Sequence, residues 1–75
     1  MDLLEQVADA LAKDALEAER ITGDEDIIKQ VMKSVGSSST TLEEAFMTAV
    51  RIRRAEMRGR ALLEDLVRVA QKQNG

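Results

Sequence analysis

The chain has 75 residues, of which 11 are lysine or arginine and 14 are aspartate or glutamate, so its net charge is −3 without any histidine. It has no cysteine, tryptophan, tyrosine or proline, and its one aromatic residue is Phe46. These absences exclude disulfides, thiolate or imidazole metal sites, and catalysis by histidine or cysteine. We therefore expect one small non-enzymatic domain with no catalytic residue, cofactor, metal or small-molecule substrate.

Large apolar residues are few. Hydrophobic residues make up 44% of the chain, but ten of them are alanines and only 23 are larger. A chain of this size without disulfides or metals often gains its missing stability by association. No apolar run approaches the roughly 18 residues of a membrane span. We expect a cytoplasmic protein that binds no membrane and has a protein partner, either a second copy of itself or another helical protein.

The first predicted helix covers residues 2–22. Gly23 marks its end, because glycine suits the left-handed conformation that follows many helices. Charged residues such as Asp9 and Lys13 occupy one face of this helix, and an apolar stripe runs along the other face at helical spacing. We expect the stripe to face the core, and it consists of Leu3, Leu4, Val7, Leu11, Ala15, Ala18 and Ile21.

The second predicted helix covers residues 24–35, between Asp24 and Gly36. Asp24 can accept hydrogen bonds from the free N–H groups of a helix start, so we expect it to be the N-cap. The helix is short and needs neighbours to stay folded. A serine-rich linker is predicted at residues 36–40. The face expected to be buried consists of Ile27, Ile28, Val31, Met32 and Val35.

The third predicted helix is long and covers residues 41–72. Its start offers a capping box in two registers, Thr40 with Glu43 or Thr41 with Glu44. Gly59 is the only glycine within it and costs about 1 kcal/mol relative to alanine, so a helix broken at this position is the competing interpretation. The resulting fold class is all-α, a single domain of three helices in an antiparallel bundle with a long C-terminal helix.

A heptad pattern runs along this third helix. Two series spaced by seven residues are apolar at both ends and polar in the middle, and a seam of this kind resembles a coiled-coil interface. The series are Leu42, Ala49, Glu56, Leu63 and Ala70, and Ala45, Ile52, Gly59, Leu66 and Gln73. Ala45 and the nearby Ala49 allow another helix to approach closely, and larger residues follow further along. The predicted apolar contacts with a partner are Ala49, Ile52, Leu63 and Leu66. Glu56 also lies on the seam, where it either sets the register of association or simply faces water.

Charge is divided unevenly between the two halves of the chain. Residues 1–37 carry a charge of −5 and residues 38–75 carry +2, so the two halves attract each other. Arg51, Arg54 and Arg58 share one helical face, and their guanidinium groups suit carboxylates or phosphates. We expect this arginine face to be the polar recognition site, with Met47 projecting toward it. Solvation of these arginines, or contact with the acidic first helix, is the competing interpretation.

Two further arginines, Arg53 and Arg60, flank the seam within reach of Glu56. We predict that both pair with Glu56 on their own helix, where such pairs contribute only about 0.2–0.5 kcal/mol each. These pairs therefore contribute little to the stability of the fold.

The sequence favours a non-enzymatic helical interaction module, such as an adaptor, co-chaperone or regulatory subunit. It would work as a homodimer or as a subunit of a helical complex. The alternative is a small dimeric nucleic-acid-binding regulator that presents the arginine face to phosphate. A net acidic chain with no aromatic residue suited to base stacking makes nucleic acid the less favoured partner.

Overall fold

The computed structural model describes residues 2–74, with side chains through residue 73. It contains three helices, α1 (Leu3–Thr22), α2 (Ile27–Gly36) and α3 (Thr40–Asn74), and the described range contains no strand. Every pair of helices is in contact. The all-α class, the three-helix bundle and the long C-terminal helix are therefore confirmed.

Hydrogen bonds at the ends of α1 show why it starts and stops where it does. The Asp2 side chain accepts a bond from the N–H of Glu5 at 2.8 Å, so Asp2 caps the helix and α1 begins one residue after it. Gly23 has a φ of 71°, and its N–H donates to the carbonyl of Glu19 at 2.8 Å. The predicted glycine stop is confirmed, because only glycine adopts this conformation without strain.

The start of α2 differs from the prediction. The side chain of Asp24 accepts a bond from the N–H of Asp26 at 2.9 Å and so closes a turn within residues 24–26. Asp24 therefore stabilises the approach to the helix rather than its first turn. The helix begins three residues later than predicted, at Ile27.

The start of α3 also differs from the prediction. The hydroxyl of Ser39 accepts a bond from the N–H of Leu42 at 3.1 Å, so Ser39 is the N-cap and neither predicted capping box forms. The helix begins at Thr40, and the serine-rich linker is limited to residues 37–39. Because α3 runs through Gly59 without interruption, the broken-helix interpretation is wrong.

The core is built around two side chains of α3, Phe46 and Val50, which are completely buried. Ile28 of α2 packs against them, together with Ala12 and Ala15 of α1. Small side chains on α1 allow its backbone to approach the bulky residues of α3 closely. The partly buried residues around this centre are Leu11, Leu16, Val31, Met32, Met47 and Ala49.

The predicted apolar stripe of α1 is rotated by about one residue from the face that is buried. Ala8 and Ala12 face the core, whereas the larger Val7 and Leu3 are exposed. The pattern of hydrophobicity favoured the face with the larger side chains. Ala12 and Ala15 are the α1 residues that share the buried cluster with Phe46, and the larger Leu11 and Leu16 pack at its edge.

Two regions of the molecule differ sharply in packing. We call residues 2–54 the body and residues 55–73, the projecting part of α3, the tail. Every described side chain of the tail is exposed. The radius of gyration is 16.0 Å, whereas a compact chain of this length has about 11 Å. The molecule extends over 56 × 30 × 13 Å, because α3 continues well past the body.

Candidate docking surface

Most exposed apolar side chains of α3, with the exception of Met57 and Ala61, form one continuous surface. At about 100° per residue they lie within an arc of about 160° along the helix. We call this surface the apolar strip. Its large side chains are each more than half exposed. The strip consists of Ile52, Ala55, Gly59, Leu62, Leu63, Leu66, Val67, Val69 and Ala70.

Three of the four predicted apolar contact residues lie on this strip. Ile52 is 63% exposed, Leu63 is 61% exposed and Leu66 is 56% exposed. The fourth, Ala49, is half-buried and packs against the edge of the core.

The seam prediction missed Leu62, Val67 and Val69. A heptad seam with two apolar positions describes a narrow contact, whereas the strip is wider. Projecting residues 52–70 onto a helical wheel would have shown all three beside the predicted positions.

The strip and the core lie on nearly opposite faces of α3. Phe46 and Val50 point into the body, and at about 100° per residue Ile52 and Leu66 lie roughly half a turn away from them. Packing of α1 and α2 on the core face therefore leaves the strip uncovered.

An apolar groove of about 550 Å³ continues the strip onto the body, between α1 and α3. Its α3 wall has the spacing i, i+3, i+4 and i+7, which is the four-residue hole that receives a side chain in knobs-into-holes packing. We call it the α1/α3 groove. Ile52 belongs both to the groove and to the strip. The groove is lined by Ala45, Thr48, Ala49 and Ile52 of α3 and by Leu4, Glu5, Ala8 and Asp9 of α1.

A bidentate ion pair fixes α1 to α3 beside this groove. Nε and Nη2 of Arg53 donate to the two carboxylate oxygens of Asp9 at 2.7 and 2.8 Å. These hydrogen bonds from Arg53 hold the pKa of Asp9 below its ordinary value, and the carboxylate raises the pKa of Arg53. The prediction that Arg53 pairs with Glu56 is therefore wrong, because a better-placed carboxylate lies on the neighbouring helix.

The second predicted pair on α3 is present. Nη2 of Arg60 lies 3.0 Å from a carboxylate oxygen of Glu56, and both side chains are more than half exposed. Glu56 thus faces water within one protomer. Its role in setting a register stays a prediction, since it concerns a second chain.

The predicted arginine face is divided in the structure. Arg54 lies 2.9 Å from the carboxylate of Glu19 on α1, which confirms that basic α3 attracts acidic α1. Arg51 and Arg58 are exposed and form no ion pair among the described residues. Met47 is partly buried against the core and lies beside Arg51, on the side of α3 that the sequence predicts.

Within residues 2–74, no group of three or more acidic side chains is placed to hold a metal ion. None of the three helices is both long and apolar enough to cross a membrane. Comparison with protein-family models, with curated proteins and with solved structures finds no match to this chain.

Proposed function

We propose that the protein is a non-enzymatic helical interaction module that works as a homodimer or as a subunit of a helical complex. Adaptors, co-chaperones and regulatory subunits are proteins of this kind. The observation that carries the proposal is the tail of α3, an uncovered helix with a wide apolar strip along one face. The proposal includes the cytoplasmic location expected from the sequence.

The total surface of the protein supports this proposal. The protein exposes 5774 Å², whereas a compact monomer of 8.3 kDa exposes about 4,600 Å². The excess of roughly 1,200 Å² exceeds the approximately 800 Å² that each partner buries in a standard protein interface. The uncovered surface of the protein is therefore large enough for a specific complex.

The low stability expected of an uncovered helix also supports an interaction role. Most helical stability in proteins comes from packing of an apolar face, and an isolated helix of about 15 residues is marginal in water. The tail has no such packing within one protomer. A partner helix lying on the strip would supply it.

The predicted contact residues keep their assigned roles in this proposal. Ile52, Leu63 and Leu66 provide apolar contacts, and Ala49 lines the groove at the end of the strip. Arg51 and Arg58 provide polar contacts at the rim. Arg54 contributes mainly to holding α1 against α3, because it pairs with Glu19.

No observation favours the nucleic-acid alternative. One of its three arginines is engaged by a carboxylate, and phosphate binding depends strongly on the number of free cationic groups.

Site-specific photo-crosslinking in the cells that make the protein tests this proposal. A photoreactive amino acid replaces Leu63 on the strip or, as a matched control, Ala61, which is also exposed but lies on the opposite face of the tail. We expect a covalent protein adduct, with a second copy or with another protein, from position 63 and little from position 61. Equal labelling at both positions, or none at position 63, would contradict a docking role for the strip.

A further inference from the structure

The occupant of the apolar strip can be identified by comparing the strip with the α1/α3 groove. We infer that the strip of one protomer docks into the α1/α3 groove of a second copy, so that two α3 helices pair antiparallel. This inference rests on the proposed function and specifies its partner.

The shapes of the two surfaces match when the helices run antiparallel. With the two-fold axis between Ala55 and Glu56, three small residues on one helix face large apolar residues on the other. The two residue numbers of every facing pair have the same sum, as two-fold symmetry requires of an antiparallel pair. The facing pairs are Ala45 with Leu66, Ala49 with Leu62, and Gly59 with Ile52.

The groove supplies a hole of the right kind for this pairing. Its α3 wall has the i, i+3, i+4, i+7 spacing that surrounds one inserted side chain in helix packing. In the antiparallel register, Leu63 of the second copy lies over the centre of this hole. Leu4 and Ala8 of α1 form the opposite wall and would contact the flank of the incoming helix.

Gly59 also has a role in this register. A Cβ built at Gly59 meets no atom within 4 Å in one protomer, so nothing inside the protomer requires glycine. In the dimer, Gly59 faces Ile52 of the second copy, and the missing side chain leaves room for that residue.

Charge is compatible with the same arrangement. The rim of the groove carries the carboxylates of Glu5 and Asp9. Arg60 lies on the flank of the tail that would run beside this rim, and its guanidinium is exposed. The two Glu56 side chains meet close to the two-fold axis, where each is accompanied by an arginine. No carboxylate is left without a basic partner there, as burial of such a group requires.

The amount of surface favours a second copy. A symmetric pair uses the strip and the groove twice, so both uncovered surfaces of each protomer are covered by one partner. The excess surface of each protomer, roughly 1,200 Å², exceeds the approximately 800 Å² that each partner of a standard interface buries, so it is sufficient for such a pair.

Disulfide trapping tests the register, because the natural chain contains no cysteine. Ala45→Cys and Leu66→Cys are made as separate variants of different mass, and both positions are on the surface of α3. Under mild oxidation we expect a mixed disulfide when the two variants are combined, and little homodimer from either variant alone. A disulfide between two Leu66→Cys chains would show a parallel pair and overturn the inference.

Sedimentation of the whole protein provides the second readout. We expect twice the 8.3 kDa mass of the chain at high concentration, with association weakened about a hundredfold or more by Leu63→Glu, since both copies lose the contact. Arg68→Glu, on the opposite face of the tail, is the matched control and should change little.

The outcomes separate this inference from the proposed function. A monomer at every concentration, with no mixed disulfide, overturns pairing with a second copy. The interaction role then survives if the photoreactive group at position 63 captures a different protein. A dimer that Leu63→Glu leaves unchanged overturns the inference, because the two copies then meet through a surface other than the strip.

Discussion

The body and the tail of the protein use the same helix in opposite ways. In the body, α3 directs Phe46 and Val50 inward, and both are completely buried. In the tail, the apolar residues of α3 lie on nearly the opposite face and remain exposed, as Leu63 and Leu66 show. The apolar pattern thus changes phase within one continuous helix. This change is the reason for our proposal that α3 serves a second interface outside the protomer.

The comparison predicts its largest effect at the centre of the body. Replacing Phe46 with alanine should cost about 3–5 kcal/mol of unfolding free energy, because a completely buried ring is lost and a cavity remains. Urea denaturation monitored by circular dichroism measures this change. Leu62→Ala in the tail is the control and should cost far less at dilution, where protomers are separate. Similar losses at both positions would show that the tail is packed within the protomer.

The body and the tail each contain a valine at which the same substitution can be made. Val50 is completely buried in the body and Val69 is 52% exposed in the tail. We expect Val50→Ala to cost about 2 kcal/mol and Val69→Ala to change the free energy of unfolding by less than about 0.5 kcal/mol. Thermal unfolding at low protein concentration measures both. A larger loss of unfolding free energy from Val69→Ala than from Val50→Ala would contradict this prediction.

Replacing glycine with alanine should lower the free energy of unfolding at Gly23 and raise it at Gly59. Gly23 has a φ of 71°, so Gly23→Ala should cost about 1–2 kcal/mol through backbone strain. Gly59 lies inside α3 with open space around it, so Gly59→Ala should stabilise the separate protomer by up to about 1 kcal/mol. Urea denaturation at low concentration checks both signs. Destabilisation by Gly59→Ala under these conditions would show a close neighbour that one protomer lacks.

The smallest predicted effect is a change in pH dependence at the ion pair of the body. The pKa of Asp9 is lowered by hydrogen bonds from Arg53. A lowered carboxyl pKa stabilises the folded state above the ordinary value of 3.8, and this contribution is lost as the pH falls through the folded pKa. Asp9→Asn should therefore be less stable near neutral pH and lose less stability below about pH 4.

Unfolding measured between about pH 7 and about pH 3 tests the Asp9 prediction. Glu17→Gln is the control, because Glu17 pairs with Arg20 one turn away on the same helix. That local pair fixes no second helix, so we expect a smaller change of slope. A steeper acid loss in Asp9→Asn than in the natural chain would contradict the prediction.

Local signals were enough to predict the helices from the sequence. Apolar spacing identified all three, and Gly23 and the serine run separated them, since these features depend on neighbouring residues alone. The caps were harder, because Asp24 and Ser39 are each one of several residues with the same chemistry nearby. Which one caps a helix is decided by how the chain turns.

Contacts between helices could not be predicted from local sequence signals. The buried face of α1 was missed because it depends on the size of Phe46, which lies 34 residues after Ala12. Arg53 was assigned to Glu56 because spacing along the sequence identifies only neighbours on the same helix, whereas in the fold Arg53 donates to Asp9 of α1. The exposed strip was predicted in part, since the heptad series identified Leu63 and Leu66 but not the full width of the surface.

Amide hydrogen exchange at low and high protein concentration tests the central claim most directly. The claim is that the tail exposes an apolar strip that one protomer leaves uncovered. We predict that residues 55–73 exchange rapidly at about 10 µM and become protected at about 1 mM, while residues 42–54 stay protected at both. Protection of the tail equal to that of the body in the dilute, monomeric protein would contradict the account.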